Sequence, residues 1–156
     1  MSTHDSIKNF AYDESVLNGK IILVTGAGDG IGRVVAKTYA RCGATVLLLG
    51  KTQEKLETLY DEIEAEGLPT PAILPMDLAT ADFALMRATA DLIEREFGRL
   101  DGLLHNAGIL GQLAPLEMYD PIGFEKVLRV NMTSNFLLTQ TLLPLLKQSN
   151  NASVVF

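Results

Sequence analysis

The sequence predicts an α/β fold in which helices cover both faces of a parallel sheet, a doubly wound arrangement. Two observations predict it. Apolar runs of strand length alternate with segments of helical periodicity, and the first run leads through a glycine-rich turn directly into a helical segment. Such alternation implies right-handed crossovers between parallel strands. We predict the strand order 3-2-1-4-5.

The first half of the chain supplies one strand–helix–strand unit. The apolar run 20–25 has the length of a strand, and apolar residues from Ile31 onward recur at helical spacing until a Cys-Gly pair ends the helix. The run 45–49 is almost wholly apolar, as expected for a parallel strand that is covered on both faces. The charged segment 53–66 is predicted to be an exposed helix that ends at Gly67.

The second half of the chain continues the alternation of strands and helices. Pro144 predicts a bend near the end of the longest helix, because proline lacks the backbone N–H that a helix interior uses. The predicted elements are strand 71–76, helix 82–97, strand 100–105, helix 123–147 and strand 153–156.

Length, composition and charge favour one soluble domain. Of the 156 residues, 47% are hydrophobic and 21% are charged, which is enough for one buried core. We predict an N-terminal arm over 1–18 and one domain over 19–156. The formal charge of −6 excludes a general nucleic-acid-binding surface, which would need a basic stripe.

The sequence shows no segment typical of export or membrane insertion. Residues 1–18 lack the apolar core of a secretory signal, and no uninterrupted apolar run reaches the roughly 18 residues that a membrane-spanning helix needs. The single cysteine, Cys42, cannot form an internal disulfide and is expected to be a small buried residue. We therefore expect a cytoplasmic protein without a membrane partner, and we predict no metal site.

The glycine-rich turn after the first strand has an informative spacing. Gly26, Gly30 and Gly32 fit Gly-x-x-x-Gly-x-Gly, whereas no register fits Gly-x-Gly-x-x-Gly. We expect the first glycine to turn the strand, the second to let backbone approach a pyrophosphate and the third to let the helix lie close to the sheet. The start of the helix would then offer N–H groups to a phosphate. A turn without any ligand is the alternative.

Three segments, each following the strand where it is expected, resemble the short-chain dehydrogenase/reductase family: Thr-Gly-Ala-Gly-Asp-Gly-Ile-Gly at 25–32, Asp77-Leu78 and Asn106-Ala107-Gly108. The Asp-Gly-Ile-Gly and His-Asn-Ala-Gly sequences are similar to a bacterial oxidoreductase branch. The resemblance covers the chain from about residue 18 to 156 and implies a Rossmann-type dinucleotide-binding domain over 19–156. The candidate cofactor-binding residues are Thr25, Gly26, Asp29, Gly30, Ile31, Gly32, Lys51, Asp77, Leu78, Asn106, Ala107 and Gly108.

The resemblance assigns roles to the segments after the third and fourth strands. It implies that the Asp77 carboxylate accepts from the adenine amino group while the Leu78 N–H meets the ring. It also implies that 106–108 supports the central sheet and lines the adenosine side of the cofactor. From the residues alone, Asp77 is better explained as a helix cap or a turn residue before the helix that begins at 82. His105 stands where asparagine is commoner in the family, and we expect it to be a hydrogen-bonded packing residue.

The end of the second strand bears on the choice of cofactor. An NAD site places Asp or Glu there, roughly 20 residues beyond the glycine turn, to bind the ribose 2′-hydroxyl. Here Gly50 leaves room and Lys51 supplies a cation, so a 2′-phosphate is favoured and NADP(H) is predicted. Arg33 is a candidate second cation. Asp29 argues the other way, because several NADP-using members of the family carry a basic residue there, and Lys51 as a solvated surface residue is the alternative.

Asn131 matches the helical asparagine of the family's catalytic group, whose side chain bends the helix and frees a backbone carbonyl to hold a water in a proton relay. From the residues alone it is a polar helix residue. The family's catalytic serine and Tyr-x-x-x-Lys are not found, since none of the four tyrosines is followed by lysine at the fourth position. We therefore expect the chain to be a truncated, N-terminal part of a longer reductase and to be inactive alone.

The predicted function is NADP(H)-dependent transfer of a hydride between nicotinamide and a small-molecule carbonyl or alcohol, with this chain carrying the cofactor-binding half. A non-catalytic dinucleotide-binding module and a self-associating fragment are the alternatives. The helix 123–147 resembles the element that family members pair across a dimer, so a homo-oligomer is expected, although its apolar stripe could equally face the core. An incomplete sheet with an unpaired fifth strand predicts poor solubility or self-association.

Overall fold

Within residues 13 and 15–156, the residues that the computed structural model describes, five strands form one parallel sheet in the order β3-β2-β1-β4-β5. The predicted strand order is thereby confirmed. Most of the predicted arm over 1–18 lies outside the described residues. The strands are β1 (Ile21–Thr25), β2 (Thr45–Gly50), β3 (Ala72–Pro75), β4 (Gly102–Leu104) and β5 (Ser153–Val155).

Helices alternate with the strands in the described part of the chain. A short 3-10 turn, Leu116–Met118, precedes the fourth helix. None of the described helices is long and apolar enough to cross a lipid bilayer. The helices are α1 (Gly30–Arg41), α2 (Gln53–Ala65), α3 (Phe83–Phe97), α4 (Pro121–Leu128) and α5 (Ser134–Leu146).

The predicted single helix over 123–147 is divided in two. A π-helical turn at Arg129–Thr133 separates α4 from α5, and α5 runs past Pro144. The irregularity expected near Pro144 therefore lies earlier in the chain. One cause is local: the Ser134 hydroxyl donates to the Val130 carbonyl at 2.6 Å, and a side-chain bond of this kind loosens the regular helical ladder.

Two hydrophobic clusters, one on each face of the sheet, form the core of the described residues. Successive side chains of a strand point to opposite faces. In β2, Val46 and Leu48 pack with α1 and α2, whereas Leu47 and Leu49 pack with α3 and α5. All four side chains are completely buried. β2 is almost wholly apolar because both of its faces are covered.

β5 is an exposed edge of the sheet. It pairs with β4, and Val154, Val155 and Phe156 remain 36%, 48% and 78% exposed. Beside it, β1, β4 and β5 line an open groove of about 510 Å³ that includes Ile22 and Leu104. An edge strand with exposed apolar side chains is prone to pair with another surface.

Asp101 connects the amino ends of the central strands. Its buried carboxylate accepts from the Ile21 N–H at 2.9 Å and from the Ser149 hydroxyl at 2.7 Å, and the Arg99 side chain lies 3.1 Å away. Burial raises the pKa of Asp101, but the hydrogen bonds from Ser149 and Ile21 and the charge of Arg99 outweigh burial and hold that pKa below 3.8. The ionised carboxylate therefore stabilises the folded state.

We predict that Asp101→Asn lowers the free energy of unfolding by about 1–3 kcal/mol at neutral pH, because the amide offers one acceptor oxygen and no charge. In the wild type this stabilisation is present above the unfolded-state pKa of 3.8 and is lost as the pH falls through the lower folded-state pKa. Urea unfolding at several pH values measures both effects. Asp91→Asn, exposed on α3, is the control, and equal stability of Asp101→Asn and wild type at neutral pH would contradict the prediction.

Candidate cofactor-binding site

The carboxyl ends of β1, β2, β3 and β4 surround an open cleft of about 630 Å³. It lies where the strand order reverses between β1 and β4, the position at which open α/β sheets bind ligands. Most of the predicted cofactor-binding residues line this cleft: Gly26, Asp29, Gly30, Lys51, Asp77, Leu78, Asn106, Ala107 and Gly108.

Thr25 lies beneath the cleft and joins β1 to the loop after β4. Its fully buried hydroxyl accepts from the N–H groups of Asn106 and Ala107, both at 3.0 Å, and donates to the Leu104 carbonyl at 3.3 Å. The Asn106 side chain returns a hydrogen bond to the Thr25 carbonyl at 3.1 Å. Thr25 was predicted to contact the cofactor. In the structure its hydroxyl links β1 to the loop after β4 beneath the cleft.

Gly26 and Gly32 permit close contacts between the turn, the helix and the loop after β4. A Cβ at Gly32 would lie closer to the Gly26 carbonyl oxygen and to the Asn106 side-chain nitrogen than the 3.0 Å that real Cβ atoms keep. Gly26 has φ of 67°, which favours glycine, and a Cβ there would lie 3.0 Å from the Ala107 Cα. Gly32 therefore lies under the site instead of lining it.

Gly30 begins α1 and faces open space. Its φ of 51° is in the left-handed region, and no atom lies within 4 Å of the position that a Cβ would take. Asp29 caps the helix, since its carboxylate accepts from the Gly30 N–H at 2.8 Å. Ile31, in the first helical turn, is 75% exposed and is not part of the cleft lining. The free volume above Gly30 is thus directly in front of a helix N-terminus, where an anion is favoured.

The end of β2 carries Lys51 into the cleft, and the glycine before it packs closely against α2. Lys51 is exposed and lines the cleft. A Cβ at Gly50 would lie 3.2 Å from the Leu56 Cδ2, so a longer side chain would crowd the buried leucine of α2. Glycine at this position therefore has a packing reason as well as the electrostatic one predicted from the sequence.

The prediction that Arg33 adds a second charge to the cleft is wrong. Its guanidinium lies 2.6 Å from the Glu62 carboxylate and forms part of the contact between α1 and α2. Instead, Lys55 from the first turn of α2 lines the cleft, and its ammonium group pairs with the Asp29 carboxylate. The hydrogen bond from Lys55 is the main reason that the pKa of Asp29 is lowered. Lys55 is not among the residues predicted from the sequence, although it follows Lys51 by four residues.

Asp77 and Leu78 lie at the cleft wall after β3. The Asp77 carboxylate accepts from the Ala79 N–H at 2.9 Å, which forms a tight turn. Asp82, and not Asp77, caps α3 by accepting from Leu85 at 2.8 Å. Asp77 therefore does not cap α3 but is a turn residue, which is the other form of the alternative expected from the residues alone, and its exposed carboxylate lies at the cleft.

His105 is buried next to the site. Its Nε2 lies 2.8 Å from the Thr139 hydroxyl, and its ring stacks on Phe156 with 4.9 Å between centroids. Burial lowers the pKa of His105 to about 4, against a smaller opposite effect of the Asn135 side chain, because the charged imidazolium is disfavoured away from water. The ring is therefore neutral at physiological pH and packs as expected.

Asn131 lies in the π-helical turn and fastens the loop after β4. Its side chain accepts from the Ile109 N–H and donates to the Ile109 carbonyl, both at 2.9 Å. Its own carbonyl accepts from the Asn135 side chain at 2.9 Å. The carbonyl that was expected to bind a water thus already has one donor, and Asn131 reaches the cleft through Ile109 and Gly108.

Comparison with known proteins agrees with this geometry. A family model described as short chain dehydrogenase matches residues 20–156. The chain is 46% identical over 143 residues to the uncharacterized oxidoreductase YciK of Escherichia coli K12. The aligned residues cover 92% of this chain and 57% of YciK.

Solved structures share the fold. A short chain dehydrogenase from Escherichia coli CFT073, complexed with NADPH, has a TM-score of 0.90 at 46% identity and covers 93% of this chain and 60% of that one. A short chain dehydrogenase from Shigella flexneri 2a strain 301, complexed with NADP, has a TM-score of 0.89 at 46% identity and covers 92% and 60%. This chain therefore spans between 57% and 60% of the length of these proteins.

We predict that Gly32→Ala destabilises the protein by about 1–3 kcal/mol, because the added methyl group must displace the Gly26 carbonyl or the Asn106 side chain. Gly123→Ala in α4 is the control. Its Cβ would have only ordinary contacts, and alanine is the better helix former, so stability should rise by up to about 1 kcal/mol. Thermal unfolding measures both, and a Gly32→Ala protein that melts at the wild-type temperature would contradict the close packing of the turn.

Proposed function

Because the chain belongs to the short chain dehydrogenase family, we propose that it carries the cofactor-binding part of an NADP(H)-dependent oxidoreductase. The reduced cofactor would give a hydride to a small-molecule carbonyl, and in the reverse direction the oxidised cofactor would take a hydride from the corresponding alcohol. One observation carries the proposal: the N-terminus of α1 opens, at Gly30, into free volume at the point where the strand order reverses. A pyrophosphate fits there, since backbone N–H groups and the helix dipole favour negative charge.

The remaining residues of the cleft fit the other parts of NADP(H). Asp77 and the backbone at Leu78 present an acceptor and a donor for the edge of an adenine ring. Lys51 supplies positive charge for a 2′-phosphate, and Gly50 carries no carboxylate to repel it, whereas an NAD site has Asp or Glu there. The NADPH and NADP named for the two similar solved structures support this choice.

We assign Asn131 the role of a catalytic group that acts at the loop after β4. Its hydrogen bonds to Ile109 hold the cleft wall, and its carbonyl could bind a water for proton transfer. Within the 156 residues, no tyrosine is followed by lysine at the fourth position. We therefore propose that proton donation depends on residues outside these 156, and that these residues alone bind cofactor without turnover.

A non-catalytic dinucleotide-binding module is the second candidate, favoured by the same absence of Tyr-x-x-x-Lys in the 156 residues. The two functions differ in one assay. The full-length protein should oxidise NADPH when a panel of ketones and aldehydes is supplied, whereas a binding module would bind NADPH and leave it reduced. We propose a cytoplasmic location for the protein under either function.

We predict that NADPH binds more tightly than NADH, and that Lys51→Ala weakens NADPH binding about threefold to tenfold while NADH binding stays unchanged, because only NADPH carries the 2′-phosphate. Raising the ionic strength should weaken NADPH binding more than NADH binding. Calorimetric titration of the full-length protein measures both. Lys147→Ala, just beyond α5, is the control, and equal affinity for the two cofactors in wild type and variant would remove Lys51 from the site.

We also propose a homo-oligomer that forms through the helix 123–147. Apolar side chains recur every fourth residue on its outer surface, and all are partly or largely exposed: Phe124, Leu128, Met132 and Phe136. A row of exposed apolar side chains of this kind is typical of a surface that another protein chain covers. A second copy of the same chain would cover it with two-fold symmetry.

We predict that Phe136→Glu converts the oligomer to monomer in sedimentation velocity, because a buried carboxylate at a symmetric contact would face its own copy. Val34→Glu is the matched control, since Val34 is 66% exposed on α1, which packs on the other face of the sheet. A monomeric wild type, or a Phe136→Glu variant that sediments as the wild type does, would contradict the proposed interface.

A further inference from the structure

Lys55 lies at the cleft although it belongs neither to the glycine turn nor to the end of β2. It is in the first turn of α2, where its N–H donates to the Thr52 carbonyl at 3.1 Å. Its ammonium group pairs with Asp29, and the two side chains are 52% and 76% exposed. The pair is therefore accessible to a ligand that enters the cleft.

Gly28 lets Lys55 reach this position. A Cβ at Gly28 would lie 3.0 Å from the Lys55 Cβ, so the lysine stem packs directly against the bare backbone of the turn. The end of β2 adjoins the same place, because a Cβ at Gly50 would lie 3.9 Å from the Gly28 nitrogen. Lys55 and Lys51 both line the cleft and adjoin Gly28 and Gly50, which lie next to each other.

A negative charge near Lys55 is favourable because of the position of this lysine in its helix. A cation in the first helical turn lies at the positive end of the helix dipole and is destabilised unless a negative charge lies nearby. In this structure Glu54 supplies one negative charge in the same turn, and Asp29 pairs with Lys55 through one carboxylate oxygen while its other oxygen caps α1 through Gly30. A phosphate group carries more negative charge than a carboxylate and would compete with Asp29 for the lysine.

We propose that Lys55 is a second cation for the 2′-phosphate of NADP(H), and that Asp29 holds it in place until the phosphate replaces the carboxylate. The inference rests on the proposed function, because it requires NADP(H) in this cleft. It explains how an acidic residue can stand in the turn of a protein that prefers the phosphorylated cofactor. The acid serves as an exchangeable counter-ion for the lysine.

The test is calorimetric titration of the full-length protein with NADPH and NADH in wild type, Lys55→Gln, Asp29→Asn and the double variant. Asparagine keeps an oxygen that can cap α1, so Asp29→Asn removes the charge and retains the cap. We expect Lys55→Gln to weaken NADPH binding about threefold to tenfold and Asp29→Asn to strengthen it about twofold to fivefold. NADH binding should change by less than about twofold in Lys55→Gln, since NADH lacks the phosphate. Removing the charge of Asp29 beside Gly30 acts on the pyrophosphate of both cofactors, so for Asp29→Asn the expected gain is in the preference for NADPH over NADH.

The double variant separates competition from independent charge effects. If Asp29 and the phosphate compete for Lys55, the gain from Asp29→Asn is smaller when Lys55 is absent. If the two charges act independently, the gain is equal in both backgrounds, and that result would overturn the proposal. Lys37→Gln is the matched control, because Lys37 also pairs with carboxylates, at 3.1 Å from Glu62 and 2.8 Å from Glu66, yet does not line the cleft.

The outcomes also distinguish this inference from the function on which it rests. A wild-type protein that binds neither dinucleotide contradicts both. A wild-type protein that prefers NADPH, with an unchanged preference in Lys55→Gln, keeps the proposed function and removes Lys55 from it. Circular dichroism of each variant, compared with the wild type, checks that the exposed substitutions leave the fold intact.

Discussion

The candidate site depends on the junction that Thr25 makes between β1 and β4. One buried hydroxyl satisfies two backbone N–H groups of the loop after β4 and bonds to a carbonyl of β4 itself. The two strands are neighbours in the sheet but come from distant parts of the chain, so this junction brings the glycine turn and Asn106 together. Gly32 then packs against both, and the start of α1 is aimed at the space between them.

The sequence predicted those features that depend on residues close together in the chain. The sheet order and the cleft at its centre follow from strand–helix alternation and from glycine spacing, and the structure gives backbone reasons for Gly26, Gly30 and Gly32. Arg33 was misplaced because its direction depends on where α2 packs, and Glu62 of that helix takes its charge. Lys55 was missed for the same reason, since its pairing with Asp29 exists only once the two helices lie side by side.

The division of the long helix shows a similar limit. Proline has a known local effect, so the residues alone placed the irregularity at Pro144, yet α5 accommodates that proline near its end. The wider turn forms at Arg129–Thr133, where Asn131 bonds to Ile109 of a loop that precedes the helix. The family resemblance pointed to Asn131, whereas periodicity within the helix could not, because the bonds that accompany the turn come from elsewhere in the chain.

The Asn131 side chain also has a mechanical consequence. Its paired bonds to both backbone groups of Ile109 fasten the cleft wall to the π-helical turn, in which the next residue, Met132, is exposed. If a neighbouring subunit covers Met132, as proposed, it therefore contacts the same turn of backbone that holds the cleft wall.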